Sequence, residues 1–317
     1  MSKISKTLLI VGGLCVLLSF AIGAFNFGKI FNPFIDGSGE YTRQIKTIDN
    51  MDIELLKLIT SNENVEIVPT RGEQIVIIYY DSDYHKYNVS EKNNSIYMEK
   101  ERIKGRGWRF FQINMFAPSV KIEVPEQIIL AYDIKTSNSS IAMSNLTLNT
   151  SSFTTSNGKI DFKNIVSSSN ISLKSSNGRI NLDKIEADKL SIVTSNGAMN
   201  IERIEARIVD VKTSNGSIDI DRAKAMELIL RTSNGRITLD NIDARKIDCK
   251  TSNSRINATI IGSASDYQRD IRTSNGKINI GAIEYGTRVL DQDKKTNILM
   301  LHTSNGRIDV NFVNRSS

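Results

Sequence analysis

The sequence predicts an all-β chain, most of which is a parallel β-solenoid with coils of about 19 residues. A Ser-Asn pair, nearly always within Thr-Ser-Asn-Gly, recurs nine times, at steps of 19, 20, 19, 19, 19, 19, 22 and 30 residues. A unit this short cannot enclose its own core, so each copy has to bury its apolar side against its neighbours. The serines of the nine pairs are Ser137, Ser156, Ser176, Ser195, Ser214, Ser233, Ser252, Ser274 and Ser304.

Apolar residues occupy fixed positions in each unit when positions are counted from its Asn. They stand six and four residues before the Asn and three and five residues after it. In the unit around Asn196 these residues are Leu190, Ile192, Met199 and Ile201. A spacing of two is typical of strands and not of helices. A third apolar column, which includes Ile204, stands at plus eight, where the alternation has slipped by one residue, and this predicts a bend before it.

The Thr-Ser-Asn-Gly segment suits a corner, because Gly tolerates a positive φ and Asn is the next best residue there. Identical Asn side chains stacked about 4.8 Å apart would also form a ladder of amide hydrogen bonds. A set of antiparallel hairpins is the alternative, since Asn-Gly between alternating strands is a strong two-residue turn signal. The solenoid is favoured because a flat meander would leave one hydrophobic face of the sheet uncovered.

The N-terminal segment resembles a membrane anchor. Residues Thr7 to Gly28 form an uncharged run of 22 residues, long enough to span a bilayer as a helix. Lys3 and Lys6 precede the run, which predicts a single-pass protein of the cytoplasmic membrane with its N-terminus inside and the repeats extracytoplasmic. The alternatives are a signal peptide cut near Ala21 or Gly23 and, much less favoured, a lipoprotein signal at Cys15.

Four regions follow from this pattern: a cytoplasmic tip and transmembrane anchor (1–30), a linker (31–44), an atypical N-terminal β or capping region (45–131) and the repeat solenoid (132–317). The capping region carries one degenerate unit at Thr60, Ser61 and Asn62. An atypical first unit is expected, because a regular end would present an unpaired strand edge. The two longest steps predict loops at Ile261 to Arg272 and Gly281 to Asn297.

The anchor, the Val-Lys-Ile-Glu-Val-Pro step at Val120 to Pro125 and units such as Thr213 to Ile220 and Thr273 to Ile280 together resemble a known family. It is the bacterial "putative adhesin" β-strand-repeat domain family of unknown function, which includes proteins of the LiaG type. The resemblance covers roughly residues 40 to 313. It implies a β-solenoid outside the cytoplasmic membrane, often linked to cell-envelope stress, and it supplies no catalytic motif.

Little in the sequence points to catalysis. His85 and His302 lie far apart and have no Cys or carboxylate at ligand spacing, so no metal site is predicted. No nucleophile elbow, phosphate loop or calcium loop occurs, and no cofactor is expected. The carboxylates of the plus-four column, where β-helix enzymes that cleave polysaccharides would cluster them, are scattered. We therefore predict that the protein is not an enzyme.

The outward plus-two column suggests a binding surface instead. The repeats hold the whole net charge of +6, since residues 1–130 have 15 basic and 15 acidic side chains and residues 131–317 have 26 and 20. Stacked cations in one column could hold a linear polyanion of the cell wall or an anionic lipid surface. The alternative is a solvated face neutralised by the plus-four column. The candidate polyanion-binding residues are Lys159, Arg179, Arg236, Arg255, Lys277 and Arg307.

A second basic segment, Lys100 to Phe111, interleaves cations with aromatic residues. Such a loop could lie at a membrane interface, or it could be a hairpin whose aromatic residues cap the first coil. The candidate membrane-interface residues are Arg106, Trp108, Arg109 and Phe110. Nucleic acid would need the same residue types, but the expected extracytoplasmic location argues against it.

The sequence thus predicts a membrane-anchored extracytoplasmic β-solenoid that binds or scaffolds at the cell envelope, in adhesion or in the envelope-stress response. Cell-wall polyanions, anionic lipid and envelope-stress membrane proteins are the expected partners. The alternatives are a self-assembling structural β-helix protein, in which coils stack end to end, and a polysaccharide-degrading β-helix enzyme.

Overall fold

The computed structural model describes residues 41–82, 84–103 and 118–314, almost all of them in strands and tight corners. One short 3₁₀ turn, Ala264–Asp266, is the only helical element of the described residues. The strands are β1 (Tyr41–Ile48), β2 (Leu55–Ile59), β3 (Asn64–Thr70), β4 (Ile75–Ser82), β5 (His85–Lys92), β6 (Ser95–Arg102), β7 (Ser119–Pro125), β8 (Ala131–Lys135), β9 (Ile141–Leu148), β10 (Ser151–Thr154), β11 (Ile160–Ser167), β12 (Asn170–Lys174), β13 (Ile180–Val193), β14 (Met199–Lys212), β15 (Ile218–Arg231), β16 (Ile237–Lys250), β17 (Ile256–Ile261), β18 (Tyr267–Arg272), β19 (Ile278–Ile280), β20 (Ile283–Tyr285), β21 (Arg288–Leu290), β22 (Asn297–His302) and β23 (Ile308–Val313).

The repeats form a parallel stack in which equivalent residues of successive coils lie side by side. Leu190 pairs with Val209, which pairs in turn with Leu228. In the same way Ile201 pairs with Ile220, which pairs with Leu239. The residues just before each Asn lie on a first face and the residues just after it lie on a second face. The 14-residue strands β13 to β16 run through both faces. The prediction of a parallel solenoid is confirmed for the repeats, and the hairpin alternative is wrong there.

The predicted bend lies one residue before the plus-eight column and is made by a residue in the left-handed conformation. The plus-seven residues of six successive coils have φ between 53° and 58°. Asn fills this position in three of them, as expected for the left-handed region, whereas Lys or Arg fills it in the other three. They are Asn145, Asn164, Lys184, Arg203, Arg222 and Asn241. Because the bend adds one residue to the alternation, the plus-eight side chains still point inward.

The core runs along the axis of the stack between the two faces. The apolar columns are almost completely buried, with Leu190, Met199 and Ile218 at 0% exposure. Each buried side chain of this size contributes about 1.5–3 kcal/mol relative to an exposed one. Cys249 lies in the same column as Leu230, and burial raises the pKa of its thiol, as expected of a small core residue.

Glycine at the Thr-Ser-Asn-Gly corner has a different role from the one expected. These glycines do not have positive φ, so the prediction of left-handed backbone there is wrong. A Cβ on Gly216 would instead lie 1.8 Å from the carbonyl oxygen of Gly197 in the preceding coil. The adjacent Thr213 hydroxyl turns inward and accepts a 3.1 Å hydrogen bond from the Gly216 N–H. Close stacking therefore accounts for glycine, although Ser139 and Ser254 occupy this position in two coils.

At the N-terminal end the spatial order of the coils differs from their order in the chain. The coil made by β6 and β7 is the outermost one, and it pairs in parallel with β2 and β3, which come earlier in the sequence. Two further strands cover its edges, since β5 is antiparallel to β6 and β4 is antiparallel to β7. The region predicted to be an atypical capping region thus contributes both a coil and its cap.

The C-terminal end shows the same arrangement. Strands β22 and β23, the last in the chain, pair with β16 and β17 on one side and with β18 and β19 on the other. The terminal coil is therefore β18–β19, and β21 and β20 pair with its edges in antiparallel fashion. The prediction of loops at Ile261 to Arg272 and Gly281 to Asn297 is wrong in part, because these segments contain β18, β20 and β21.

Two predictions lie outside the described residues: the membrane anchor within residues 1–30 and the interface residues Arg106, Trp108, Arg109 and Phe110. Within the part of the chain that the structure describes, no helix is long and apolar enough to cross a membrane.

Candidate ligand-binding edge

The corners of ten stacked coils form a continuous polar ridge, which we call the Ser-Asn edge. Nine of its ten Asn side chains donate a hydrogen bond of 2.6–2.8 Å from the amide to the amide oxygen of the Asn in a neighbouring coil, and Asn62 at one end only accepts. The predicted ladder is therefore present, and it lies in solvent. In spatial order its members are Asn62, Asn138, Asn157, Asn177, Asn196, Asn215, Asn234, Asn253, Asn305 and Asn275.

The hydroxyl groups of the edge are free to bind a ligand. The serines directly before the internal ladder Asn residues, such as Ser176 and Ser214, use their backbone N–H and C=O to bond to neighbouring coils. Among the described residues their hydroxyls have no hydrogen-bond partner, and nearly all of these serines are exposed. Each Asn amide also keeps one N–H that the ladder does not use. The edge thus presents donors and acceptors at one interval per coil, about 4.8 Å.

The predicted plus-two cations lie in one column beside this edge, on the second face. Four of the six are paired with a carboxylate. Arg236 lies 3.5 Å from Asp219 of the preceding coil, and Arg307 lies 2.7 Å from Asp309 of its own coil. Lys159 contacts Asp161, and Lys277 lies 2.8 Å from Glu284. The alternative of a face neutralised by the plus-four column therefore describes Lys159, Arg236 and Arg307. The partner of Lys277 lies on β20, outside that column. Arg179 and Arg255 have no ion pair within the described residues.

A second column of cations, three residues before each Asn, lines the other side of the edge on the first face. Sequence reasoning missed it, although its signal is as regular as that of the plus-two column. Four of its six members are paired: Lys135 and Lys212 with the carboxylate two residues earlier, Arg231 with Asp248 and Arg272 with Asp270. The six are Lys135, Lys174, Lys212, Arg231, Lys250 and Arg272.

The opposite side of the coils, near the bend, is charged but mixed in sign. Its cations pair with carboxylates of the preceding coil, as Arg203 does with Asp183 and Lys224 does with Glu205. The hydrogen bond to Arg203 lowers the pKa of the Asp183 carboxyl and raises that of the guanidinium. Such pairs cross from coil to coil, so they neutralise this side and link the stack.

Within the described ranges, no group of three or more His, Cys, Asp or Glu side chains could hold a metal ion. His85 lies on β5 at the N-terminal cap, and His302 lies on β22 at the other end, 3.5 Å from Asp270. The two histidines are therefore not brought together.

Three solved structures are similar to this chain at 11–13% sequence identity. No curated protein sequence matches the chain. A "putative adhesin" from Bacteroides fragilis is similar in structure, with 11% identity and a TM-score of 0.39 over 86% of this chain and 97% of that one. A "putative lipid binding protein" from Parabacteroides distasonis has 13% identity and a TM-score of 0.34 over 87% and 97%. A "putative cell adhesion protein" from Clostridium sporogenes has 11% identity and a TM-score of 0.23 over 86% and 100%.

The family comparison covers most of the chain. Residues 53–311 match the family model described as Toastrack DUF4097, which confirms the resemblance to the adhesin-like β-repeat family of unknown function. The matched range begins just before β2 and ends within β23, so it includes both end coils as well as the regular repeats. The chain belongs to the Toastrack DUF4097 family.

Proposed function

We propose that this protein is a membrane-anchored, extracytoplasmic scaffold that binds a linear anionic polymer of the cell envelope along its Ser-Asn edge. The observation that carries the proposal is the arrangement of the edge, with free hydroxyls and amides along the ridge and a column of cations on each side. Every coil repeats the hydroxyl and the amide, and most coils add a cation on one or both sides, so a polymer lying along the ridge meets similar partners at most steps.

The ion pairs beside the edge are compatible with binding. Exposed pairs of this kind contribute about 0–1 kcal/mol, so a ligand phosphate or carboxylate can replace the protein carboxylate at little cost. Exposed charges are screened over about 8 Å at physiological ionic strength, and binding should therefore weaken steeply with salt. A polymer gains affinity because several weak contacts form at once.

Binding is tested with the full chain and long-chain polyphosphate, and dextran serves as the uncharged polymer. A variant with Arg236, Arg255 and Lys277 changed to Ser should bind polyphosphate at least tenfold more weakly at low salt. The matched control changes Arg203, Arg207 and Lys224 to Ser, which removes the same charge from the bend side. Equal binding by both variants and the wild type would reject the edge as the binding surface, as would tight binding to dextran.

The anchored topology rests on the uncharged run from Thr7 to Gly28 and the lysines before it. Protease added to intact protoplasts is expected to digest the repeats, with a cytoplasmic protein as the protected control. Protection of the repeats until the membrane is lysed would place them inside the cell.

The end-to-end filament is the less favoured function. A filament of parallel coils needs open edges at both ends of the stack, and here antiparallel strands cover the edges of the terminal coils. The exposed outer strands β20 and β21 have three residues each, and short edge strands disfavour pairing with a second chain.

A further inference from the structure

Four cations beside the Ser-Asn edge differ from the other eight, because they form no ion pair with any described residue. They are Lys174, Arg179, Lys250 and Arg255, and all four are exposed. They are not scattered over the edge. Lys174 and Arg179 flank the corner of one coil, and Lys250 and Arg255 flank the corner of another.

The sequence around each corner explains why these cations are unpaired. The residue two positions before Lys174 is Ser172, whereas the paired Lys135 and Lys212 have aspartates there. The carboxylate two positions before Lys250 belongs to Asp248, which is already bound to Arg231. The residues two positions after Arg179 and Arg255 are Asn181 and Asn257, which carry no charge.

Each pair can act on one anion. The faces of a β-stack lie about 10 Å apart, and the two cations of a pair extend from opposite faces at the same corner. A phosphate resting on the ridge between them would also meet hydroxyl and amide groups. They belong to the exposed Ser176 and Asn177 in the first coil, and to the half-buried Ser252 and the exposed Asn253 in the second. Charge-assisted hydrogen bonds of this kind are about twice as strong as neutral ones.

We propose that these two corners are anion clamps that bind two separate phosphates of the same polymer. The inference rests on the proposed function, and it adds the positions of the strongest contacts and the length of ligand required. The ladder joins Asn177 to Asn253 through Asn196, Asn215 and Asn234, so the clamps are four coils, or about 19 Å, apart.

The coil that follows the first clamp has no cation beside its corner, because Val193 and Ala198 flank it. The nearest other cations beside the edge, Lys159 and Lys212, are each paired with an aspartate. The ligand class is therefore a flexible polyphosphodiester or polyphosphate long enough to span both clamps. Once one clamp is filled, the second binds at a high effective concentration, which raises affinity by about 10²–10⁴ for a well-matched linker. A phosphate oligomer shorter than the separation gains nothing from the second clamp.

The experiment compares long-chain polyphosphate with tripolyphosphate, using the full chain. One variant changes Lys174 and Arg179 to Ser, and a second changes Lys250 and Arg255 to Ser. Each should lower the affinity for long-chain polyphosphate at least tenfold, whereas about half of the tripolyphosphate sites should remain with unchanged affinity. The matched control, Lys212→Ser with Arg236→Ser, removes two paired cations from the same edge and should lower the affinity less than threefold.

The outcomes separate the two proposals. If the control weakens binding as much as either clamp variant does, or if the clamp variants bind like the wild type, the clamps are rejected and the diffuse edge remains the binding surface. If the folded wild-type chain does not bind long-chain polyphosphate at low salt, the proposed function and the clamps both fail. Circular dichroism of each variant shows that the comparison is between folded chains.

Discussion

The side-chain amide of Asn305 donates a 2.8 Å hydrogen bond to Oδ1 of Asn253, 52 residues earlier in the chain. Asn275 lies between them in the sequence, but in the stack it lies beyond Asn305 and donates a 2.7 Å hydrogen bond to it. The last unit of the sequence therefore lies in the stack between the coils of Asn253 and Asn275. The 30-residue step between these two units contains β20 and β21, which close the terminal coil before the chain returns.

The ladder predicts a difference between internal and terminal asparagines. Asn215 bonds to Asn196 and Asn234, whereas Asn275 bonds to Asn305 alone, so Asn215→Ala removes two hydrogen bonds and Asn275→Ala removes one. A net hydrogen bond contributes about 0.5–1.5 kcal/mol, and Asn215→Ala should lower the free energy of unfolding by about 1 kcal/mol more.

Urea unfolding measures this difference, with Ser214→Ala as a control that removes an unpaired hydroxyl. Equal losses at the two asparagines would mean that the ladder does not stabilise the stack. Asn138 is not a terminal position, although it begins the regular repeats, because Asn62 lies next to it.

Close stacking at the corner predicts that Gly216→Ala destabilises the protein. Its Cβ would meet the Gly197 carbonyl oxygen at 1.8 Å, and forcing extra volume into a packed site costs about 1–3 kcal/mol. Gly286→Ala is the matched control, because nothing lies within 4 Å of its added Cβ. Gly216→Ala should therefore have a lower Tm than Gly286→Ala in thermal unfolding. A Gly216→Ala chain as stable as the control would show that the corner yields easily.

The bend predicts opposite effects of glycine at two nearby lysines. Lys184 has a φ of 58°, a conformation that costs a non-glycine residue about 1–2 kcal/mol. Lys189 lies in the regular part of the same strand, where glycine costs about 0.5–1 kcal/mol. Lys184→Gly should therefore be neutral or stabilising, and Lys189→Gly destabilising, in chemical denaturation. The same loss of stability in both variants would contradict a strained bend.

A buried ion pair replaces the usual corner at the N-terminal end. Glu63 occupies the glycine position of its unit and is bonded to Lys100, which lies on β6 of the outermost coil. The Thr60 hydroxyl also donates a 2.5 Å hydrogen bond to the carboxylate. Burial favours the neutral acid, but these hydrogen bonds outweigh it and hold the pKa of Glu63 below its usual value of 4.5.

Because the folded pKa is lowered, Glu63 stabilises the protein above pH 4.5, and this contribution is lost as the pH falls further. Lys100→Met leaves the carboxylate buried without its cation, which should cost about 3 kcal/mol at pH 7. The variant lacks the hydrogen bond and the charge of Lys100 that lower the pKa of Glu63, while burial still raises it, so less stability should be lost below pH 4.5 than in the wild type. Urea titrations from pH 7 to pH 4, with the exposed Lys92→Met as control, measure both effects. An unchanged pH dependence would contradict the ion pair.

Much of the fold follows from the sequence by itself. The constant interval between Asn residues determines the coil, the alternation at Leu190, Ile192, Met199 and Ile201 determines which side chains face the core, and the slip before Ile204 places the bend. These features depend on the local geometry of one coil and its identical neighbours. The Asn ladder follows for the same reason, since equal spacing brings equal side chains together.

Only the tertiary structure decided what depends on contacts remote in the sequence. The positions of the Asn62 and Asn305 coils in the stack depend on which coil covers each end, and no local pattern encodes that order. The space available for a side chain at Gly216 depends on the carbonyl group of Gly197 in the preceding coil. Arg236 is neutralised by Asp219 of an adjacent coil and not by a residue of its own coil, so the basic columns were visible in the sequence but the pairing of their members was not.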